Sequence, residues 1–394
     1  MKFRLQIPTW KHVVHCIFMV SWIWFFTQIA QKRQVEAPDD IFNSYGSVKG
    51  LCLLLIRLIS LLAFPQTFLN FISLLIFETF QNKVKLRISV QSAPFFVIRI
   101  VTRGLYPKLV ENNVKRNLDT ILSVGCENFA IEVVTDTALN LPIYNTSQRV
   151  REIHVPKDYK TSTGALNKSR ALQYCWEDSV NLYSDEEWIV HLDEETLVTD
   201  ESIKGILNFI NDDKHSVGQG MITYASEPPQ FKSIWSTVQN RICTVADSFR
   251  VTEDLGKIRG QFQLLHKPIF GMKGSYVVTK VGAEKTVSFD NGLNGSIAED
   301  AYFAIKAMDM GFTFNFIEGE MREKSPFSFS DFIKQRKRWM QGIYLVAFDS
   351  KLSINSRFWL ALSIIAWITI PFATSNVFLG KEFCNRGRGL PAAI

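Results

Sequence analysis

The sequence predicts an α/β fold with a mainly parallel sheet, and three observations carry that expectation. Apolar runs short enough to be strands recur at residues 95–102, 129–135, 187–192 and 217–224. Helical periodicity separates them, as in residues 109–122, where Val110, Val114, Leu118 and Ile121 fall on one face. Acids follow two of the runs directly, Asp136 after the second and Asp193-Glu194-Glu195 after the third. Strands covered on both faces read as near-continuous apolar runs, and their carboxyl ends form the edge where open α/β sheets bind ligands.

Around that core the chain reads as membrane-bound. Its 394 residues are 47% hydrophobic and 13% aromatic, enough for one sizeable soluble domain plus membrane segments and too apolar for disorder. Residues 13–30 carry no charge and approach the roughly twenty residues that cross a bilayer. With Trp22 and Trp24 and no clear cleavage site they read as a retained anchor. Residues 50–80 are also apolar but contain Arg57 and Pro65, so one kinked span and two short segments both fit. A third span is expected at 359–379. The predicted organisation is a membrane region at 1–90, a catalytic domain at 91–346, and a span with a short tail at 347–394. Lys2, Arg4 and Lys11 precede the first span, and Lys83, Lys85, Arg87, Arg99 and Arg103 follow the second. Only Lys32, Arg33 and Lys49 lie between, so the bias of basic residues places the amino terminus and catalytic domain on the cytosolic side.

Four clusters then punctuate the catalytic region in order: Asp136, Asp193-Glu194-Glu195, Glu299-Asp300 and Gln335-Arg336-Lys337-Arg338-Trp339. They match the demands of sugar transfer from a nucleotide diphosphate. Charge grows on the leaving diphosphate, so a divalent metal on the hard oxygens of Asp193 and Glu195 would stabilise it. An acceptor hydroxyl must lose its proton to a carboxylate, a task that Asp300 fits. Arg338 offers a planar cation for phosphate oxygens, and Trp339 a flat apolar face for a sugar ring. Plainer readings exist for each cluster. Surface acids often form solvated turns, Glu299-Asp300 opens a predicted helix whose dipole favours acids, and residues 335–346 suit a basic amphipathic helix on a membrane. The ordered set of four favours the catalytic reading.

On these residues, with Lys168-Ser169-Arg170-Ala171-Leu172, the stretch from about Ala93 to Tyr344 resembles the inverting family 2 glycosyltransferases of GT-A fold, in their membrane-integrated QxxRW branch. The wording His191-Leu192-Asp193-Glu194-Glu195-Thr196 and Ile269-Phe270-Gly271-Met272-Lys273-Gly274-Ser275 is similar to the egghead-type β-1,4-mannosyltransferases within it. That resemblance implies transfer of mannose from GDP-mannose to glucosylceramide in glycosphingolipid biosynthesis, in a Golgi or ER membrane with the catalytic domain facing the cytosol. It implies Thr102, Arg103 and Asp136 near the nucleotide and Lys168 near the diphosphate. Asp193 and Glu195 would bind Mn2+ or Mg2+, Asp300 would be the general base, and Gln335, Arg338 and Trp339 would close the donor and acceptor site. Glu195 departs from the family, which often has Asp there. Donor, sugar and linkage rest on the resemblance alone.

Other functions fit less of the sequence. A ceramide glucosyltransferase-like enzyme using UDP-glucose is the nearest rival, and a membrane scaffold or transporter with a degenerate transferase domain the rival of another class. Intact Asp193, Asp300 and Arg338 favour the enzyme. No GxxxxGK[ST] loop and no GxGxxG after a strand occurs. The net charge of +6 sits beside apolar spans, which favours anionic lipid over nucleic acid as partner. Six cysteines without CxxC spacing suggest neither a zinc site nor a disulfide framework. The sequons at Asn145, Asn167 and Asn294 would stay unmodified in a cytosolic domain. Residues 380–394 do not pattern as a further span, as expected of a shortened form.

Overall fold

The computed structural model describes residues 9–32, 38–80, 83–225, 234–326 and 328–386. Lys2, Arg4 and Arg33, used above for orientation, and the end of the tail lie outside them. The chain divides into two compact units, Met1–Phe80 with Ala361–Ile394, and Gln81–Leu360.

The second unit is built on one mixed sheet of seven strands, in the order β3-β2-β1-β4-β6-β5-β7. They are β1 (Phe96–Thr102), β2 (Phe129–Thr135), β3 (Val150–His154), β4 (Trp188–Asp193), β5 (Val217–Ala225), β6 (Val277–Lys280) and β7 (Phe314–Lys324). The four apolar runs in the sequence are β1, β2, β4 and β5. Every pairing is parallel except those of β6, which runs antiparallel to β4 and β5. The carboxyl ends of β1, β2 and β4 therefore share one edge.

One face of the sheet is packed by two helices. Helix Pro107–Ser123 starts with a proline, whose missing N–H costs nothing in a first turn. It buries Val110, Val114, Leu118 and Ile121 against Ile98, Ile131 and Val190. Helix Asp200–Asp212 is capped reciprocally by Thr199 and Ser202 and buries Ile203, Ile206, Leu207 and Ile210. Each such side chain contributes about 1.5–3 kcal/mol relative to exposure. This helix lies so close to β7 that a Cβ on Gly205 would stand 1.8 Å from the Glu318 carbonyl oxygen. At that point β7 bulges, and Gly319 adopts φ +88°, which side-chain-bearing residues avoid.

The other face holds an ionic row. Arg99, Glu132 and His191 stand side by side on β1, β2 and β4, and all are buried. Arg99 Nε donates to Glu132 Oε2 at 2.9 Å, His191 Nε2 lies 2.6 Å from Glu284 Oε2, and Arg99 Nη1 lies 3.5 Å from Glu284 Oε1. The Tyr183 hydroxyl donates to Glu132 at 2.6 Å, and the Arg99 guanidinium lies 4.6 Å from the Trp176 ring centroid. Arg99 is thus sealed inside the sheet and cannot act as a membrane-flanking charge.

In the first unit, helix Trp10–Lys32 contains residues 13–30. Helix Pro38–Ile59 kinks at Gly46, tightens into a 3-10 turn at Ser60–Ala63, and continues as helix Phe64–Ile76. Pro65 falls in the first turn of that last helix, where it needs no N–H partner. Residues 50–76 are therefore one interrupted helical path. Among the described residues, Tyr45–Ile76 and Ile354–Pro371 are long and apolar enough to cross a membrane by length and composition. The final helix is Ile354–Arg386, and within this unit Ser363 donates to Gln66 at 2.6 Å.

Candidate active site

Three strand ends and two helix starts bring the acids of the sequence to one edge. Strand β4 ends on Asp193, and the turn after it is pinned from several sides. Thr102, at the end of β1, donates its hydroxyl to the Glu194 carboxylate, and Asn113 donates to the Glu194 carbonyl at 2.9 Å. Asn117 holds the Thr196 carbonyl at 3.1 Å. The Asp193 amide donates to Ser275 Oγ at 3.2 Å, and Thr196 links Ser275 to Glu323 of β7 through two 2.8 Å contacts. Thr102 is buried, with its hydroxyl committed to this turn.

Lys168 is the hub of the cluster. Its helix, Asn167–Tyr174, sends the ammonium to Asp193 Oδ1 at 2.6 Å and to the Gly274 carbonyl at 3.0 Å, with Glu299 Oε1 at 3.6 Å. Burial alone would lower the pKa of Lys168, but Asp193 and Glu299 outweigh it and hold the ammonium charged. Asp300 opens helix Glu299–Asp309 and accepts the Ala301 N–H at 2.7 Å. Burial, then Glu299, raises its carboxyl to about 7, against the opposing pull of Lys168. Gly274 keeps the space between them open. A Cβ there would stand 3.2 Å from Asp300 Oδ2 and 3.4 Å from Lys168 Nζ.

Beside this cluster opens a cleft of about 500 Å³, a volume usual for ligand sites. Arg103, Tyr106, Glu194 and Glu195 line one part of it, and Lys324, Gln335 and Arg338 another. Glu195 is driven up to about 8 by burial, then by Asp193, Glu323 and Glu194. Glu323 is raised by burial and Asp193 as well. Such a set of oxygens fits a hard divalent cation. Lys168 takes Asp193 Oδ1, which leaves the other Asp193 oxygen and the Glu195 carboxylate without a cation partner among the described residues.

The remaining residues singled out in the sequence divide. Gln335 and Arg338, on helix Phe329–Phe348, reach the cleft. Trp339 does not line it. Its ring lies 4.5 Å from the Arg250 guanidinium and 4.3 Å from that of Arg336, so cations rather than open space meet the indole. Arg336 in turn pairs with buried Asp247. Asp136 stands at the end of β2 in a salt bridge with Arg170, two residues on from Lys168. Sequence reading missed Glu323, Arg250 and Asp247, and also the pair of Lys273 with buried Asp254, which sits in a π-turn at Asp254–Ile258. None of them belongs to a short motif, although Lys273-Gly274-Ser275 is a local signal that could have been read as a site loop.

This geometry sets an acidic edge beside a cleft lined by Arg103, Lys324 and Arg338. Residues 188–383 match the family described as glycosyl transferase family group 2. The chain belongs to that family, and the protein is a glycosyltransferase. Its relatives specify the branch. β-1,4-Mannosyltransferase egh of Drosophila melanogaster is 51% identical over 379 residues, 95% of this chain and 80% of that protein. β-1,4-Mannosyltransferase bre-3 of Caenorhabditis elegans is 48% identical over 377 residues, with the same coverage. The chain is a member of this β-1,4-mannosyltransferase family. Among solved structures, mannosyltransferase PcManGT from Pyrobaculum calidifontis, in complex with GDP-Man and Mn2+, aligns over 82% of this chain and 87% of its own, with TM-score 0.47 and 14% identity.

Proposed function

We propose that this protein is a membrane-bound enzyme that transfers mannose from GDP-mannose to glucosylceramide in β-1,4 linkage, with inversion. In this reading a GT-A domain at 91–346 is flanked by spans near 13–30, 50–80 and 359–379, in a Golgi or ER membrane, and faces the cytosol, where nucleotide sugars are made. The observation that carries it is the Lys168 hub, which gathers Asp193, Glu299 and the approach to Asp300 beside the Arg103–Arg338 cleft.

The chemistry follows from the roles of these groups. Arg103, Gln335 and Arg338 hold the donor in the cleft, with Lys168 near its diphosphate, and Asp136 and Thr102 belong to the nucleotide end. Asp193 and Glu195 would hold Mn2+ or Mg2+, which supplies charge screening to the leaving diphosphate. The acceptor oxygen attacks the anomeric carbon from the face opposite the diphosphate. As the new C–O bond forms and the bond to the β-phosphate oxygen breaks, Asp300 takes the hydroxyl proton.

Lipid access has its own support. Helix Ile234–Glu253 exposes Ile234, Trp235, Val238, Ile242, Val245 and Phe249, a stripe at helical spacing. Helix Phe329–Phe348 exposes Ile333, Met340, Tyr344 and Phe348 beside the basic residues of its QxxRW segment. Apolar stripes of this kind suit a membrane surface, where a glycolipid head group can enter the site without leaving the bilayer. Membranes holding the parent chain should transfer labelled mannose to glucosylceramide, and membranes holding Asp300→Asn or Arg338→Ala should not. Full transfer by both variants would overturn the reading.

A further inference from the structure

We propose that His12, His15 and Cys16 form a site for a divalent cation of the zinc class at the start of helix Trp10–Lys32, separate from the carboxylate edge of the catalytic unit. Residues at i, i+3 and i+4 share one helix face. Candidate donor atoms of the three side chains all lie within 4.8 Å of one another. His12 Nε2 and Cys16 Sγ are 3.5 Å apart. A tetrahedral ion with bonds of about 2.0 Å to nitrogen and about 2.3 Å to sulfur holds two such ligands roughly 3.6 Å apart. The pair already stands at the separation a bound ion requires.

Burial points the same way. His12 is 4% exposed, and His15 Nδ1 is buried without a hydrogen-bond partner among the described residues. A buried ring nitrogen left unpaired is costly, and coordination would satisfy it. The donor set selects the ion. Two imidazoles and a thiolate suit Zn2+, whereas Mg2+ and Mn2+ favour the oxygen set of Asp193 and Glu195.

The surroundings fit a bound cation. The Leu75 carbonyl lies 3.3 Å from His12 Nε2 and 3.8 Å from Cys16 Sγ, so it or a water takes the fourth position. The Glu78 carboxylate lies on the same side, held at 2.9 Å by both the amide and the hydroxyl of Thr9. The Thr79 N–H points at His12 Nδ1 from 3.4 Å. Coordination through Nε2 moves the ring proton to Nδ1, so that long contact gives way, and the Cys16 thiol releases its proton to solvent.

The test uses the full chain purified in detergent, dialysed against a weak chelator, with zinc measured by mass spectrometry. About one zinc per chain is expected in the parent and in Asp193→Asn, and at least about tenfold less in His15→Ala and Cys16→Ser. Co2+ titrated into the metal-stripped parent should give a thiolate-to-cobalt charge-transfer band that prior zinc blocks, a readout that does not depend on how the variants fold. A parent without zinc, variants that retain it, or a cobalt complex lacking the thiolate band would overturn the proposal.

Discussion

Asp300 is held in a contradiction that suits a base. Its carboxyl is buried beside Glu299, which disfavours charge, yet it faces Lys168, which favours it, and the balance lies at about 7. An ordinary aspartate in the unfolded chain titrates near 3.9. Between those values the native state binds more protons, so the contribution of Asp300 to stability declines as pH rises from about 4 to about 7. The proton-accepting form is present above that range. The acid limb of kcat/KM should therefore fall below pH of about 7, and in Asp300→Asn the limb should vanish with kcat lower by roughly 10²–10⁴-fold. Gly274 tests the same space sterically. Gly274→Ala puts a methyl 3.2 Å from Asp300 Oδ2, and kcat should fall by about 10²-fold while thermal unfolding hardly changes. At this scale the sequence offers candidates where they sit in short words. Asp193, Glu195, Asp300, Gln335 and Arg338 could be named because strand ends and a compact motif mark them. Glu323, Arg250 and Asp247 could not, because they reach the site from distant elements and nothing next to them in the chain announces the meeting.

Strands β1, β2, β4 and β5 were legible as apolar runs and helix Pro107–Ser123 by its regular apolar spacing, whereas β3, β6 and β7 were not. What the runs concealed is the charge inside them. Arg99, Glu132 and His191 each look like an isolated interruption in sequence, and only pairing in register makes them a row across three strands. Neither Arg99 nor Glu132 has side-chain surface exposed, so removing one partner leaves a buried charge without compensation. Arg99→Ala should lower unfolding free energy by about 3–5 kcal/mol, measured by denaturant titration of the catalytic unit in the full chain. A change below about 1 kcal/mol, the worth of an exposed pair, would show that water reaches the row. The His12, His15 and Cys16 triad escaped for a related reason. Cysteine spacing alone carries no signal there, since two of the three ligand positions are histidines within an apolar helix.

Over the whole molecule, parallel pairing converts separate sequence motifs into one site. Because β1, β2 and β4 run the same way, Arg103, Asp136 and Asp193 leave the sheet at a common edge, and the antiparallel β6 leads back from the Gly274–Ser275 loop that closes it. Helices Ile234–Glu253 and Phe329–Phe348 expose apolar stripes, which is what the proposed lipid-borne acceptor requires. The most direct test presents membranes containing this chain with a panel of labelled nucleotide sugars and ceramide-linked acceptors, with and without a chelator. Transfer from GDP-mannose to glucosylceramide, abolished by chelation and restored by Mn2+ or Mg2+, is the predicted result. Transfer from UDP-glucose to ceramide, or mannose transfer untouched by the chelator, would contradict the account.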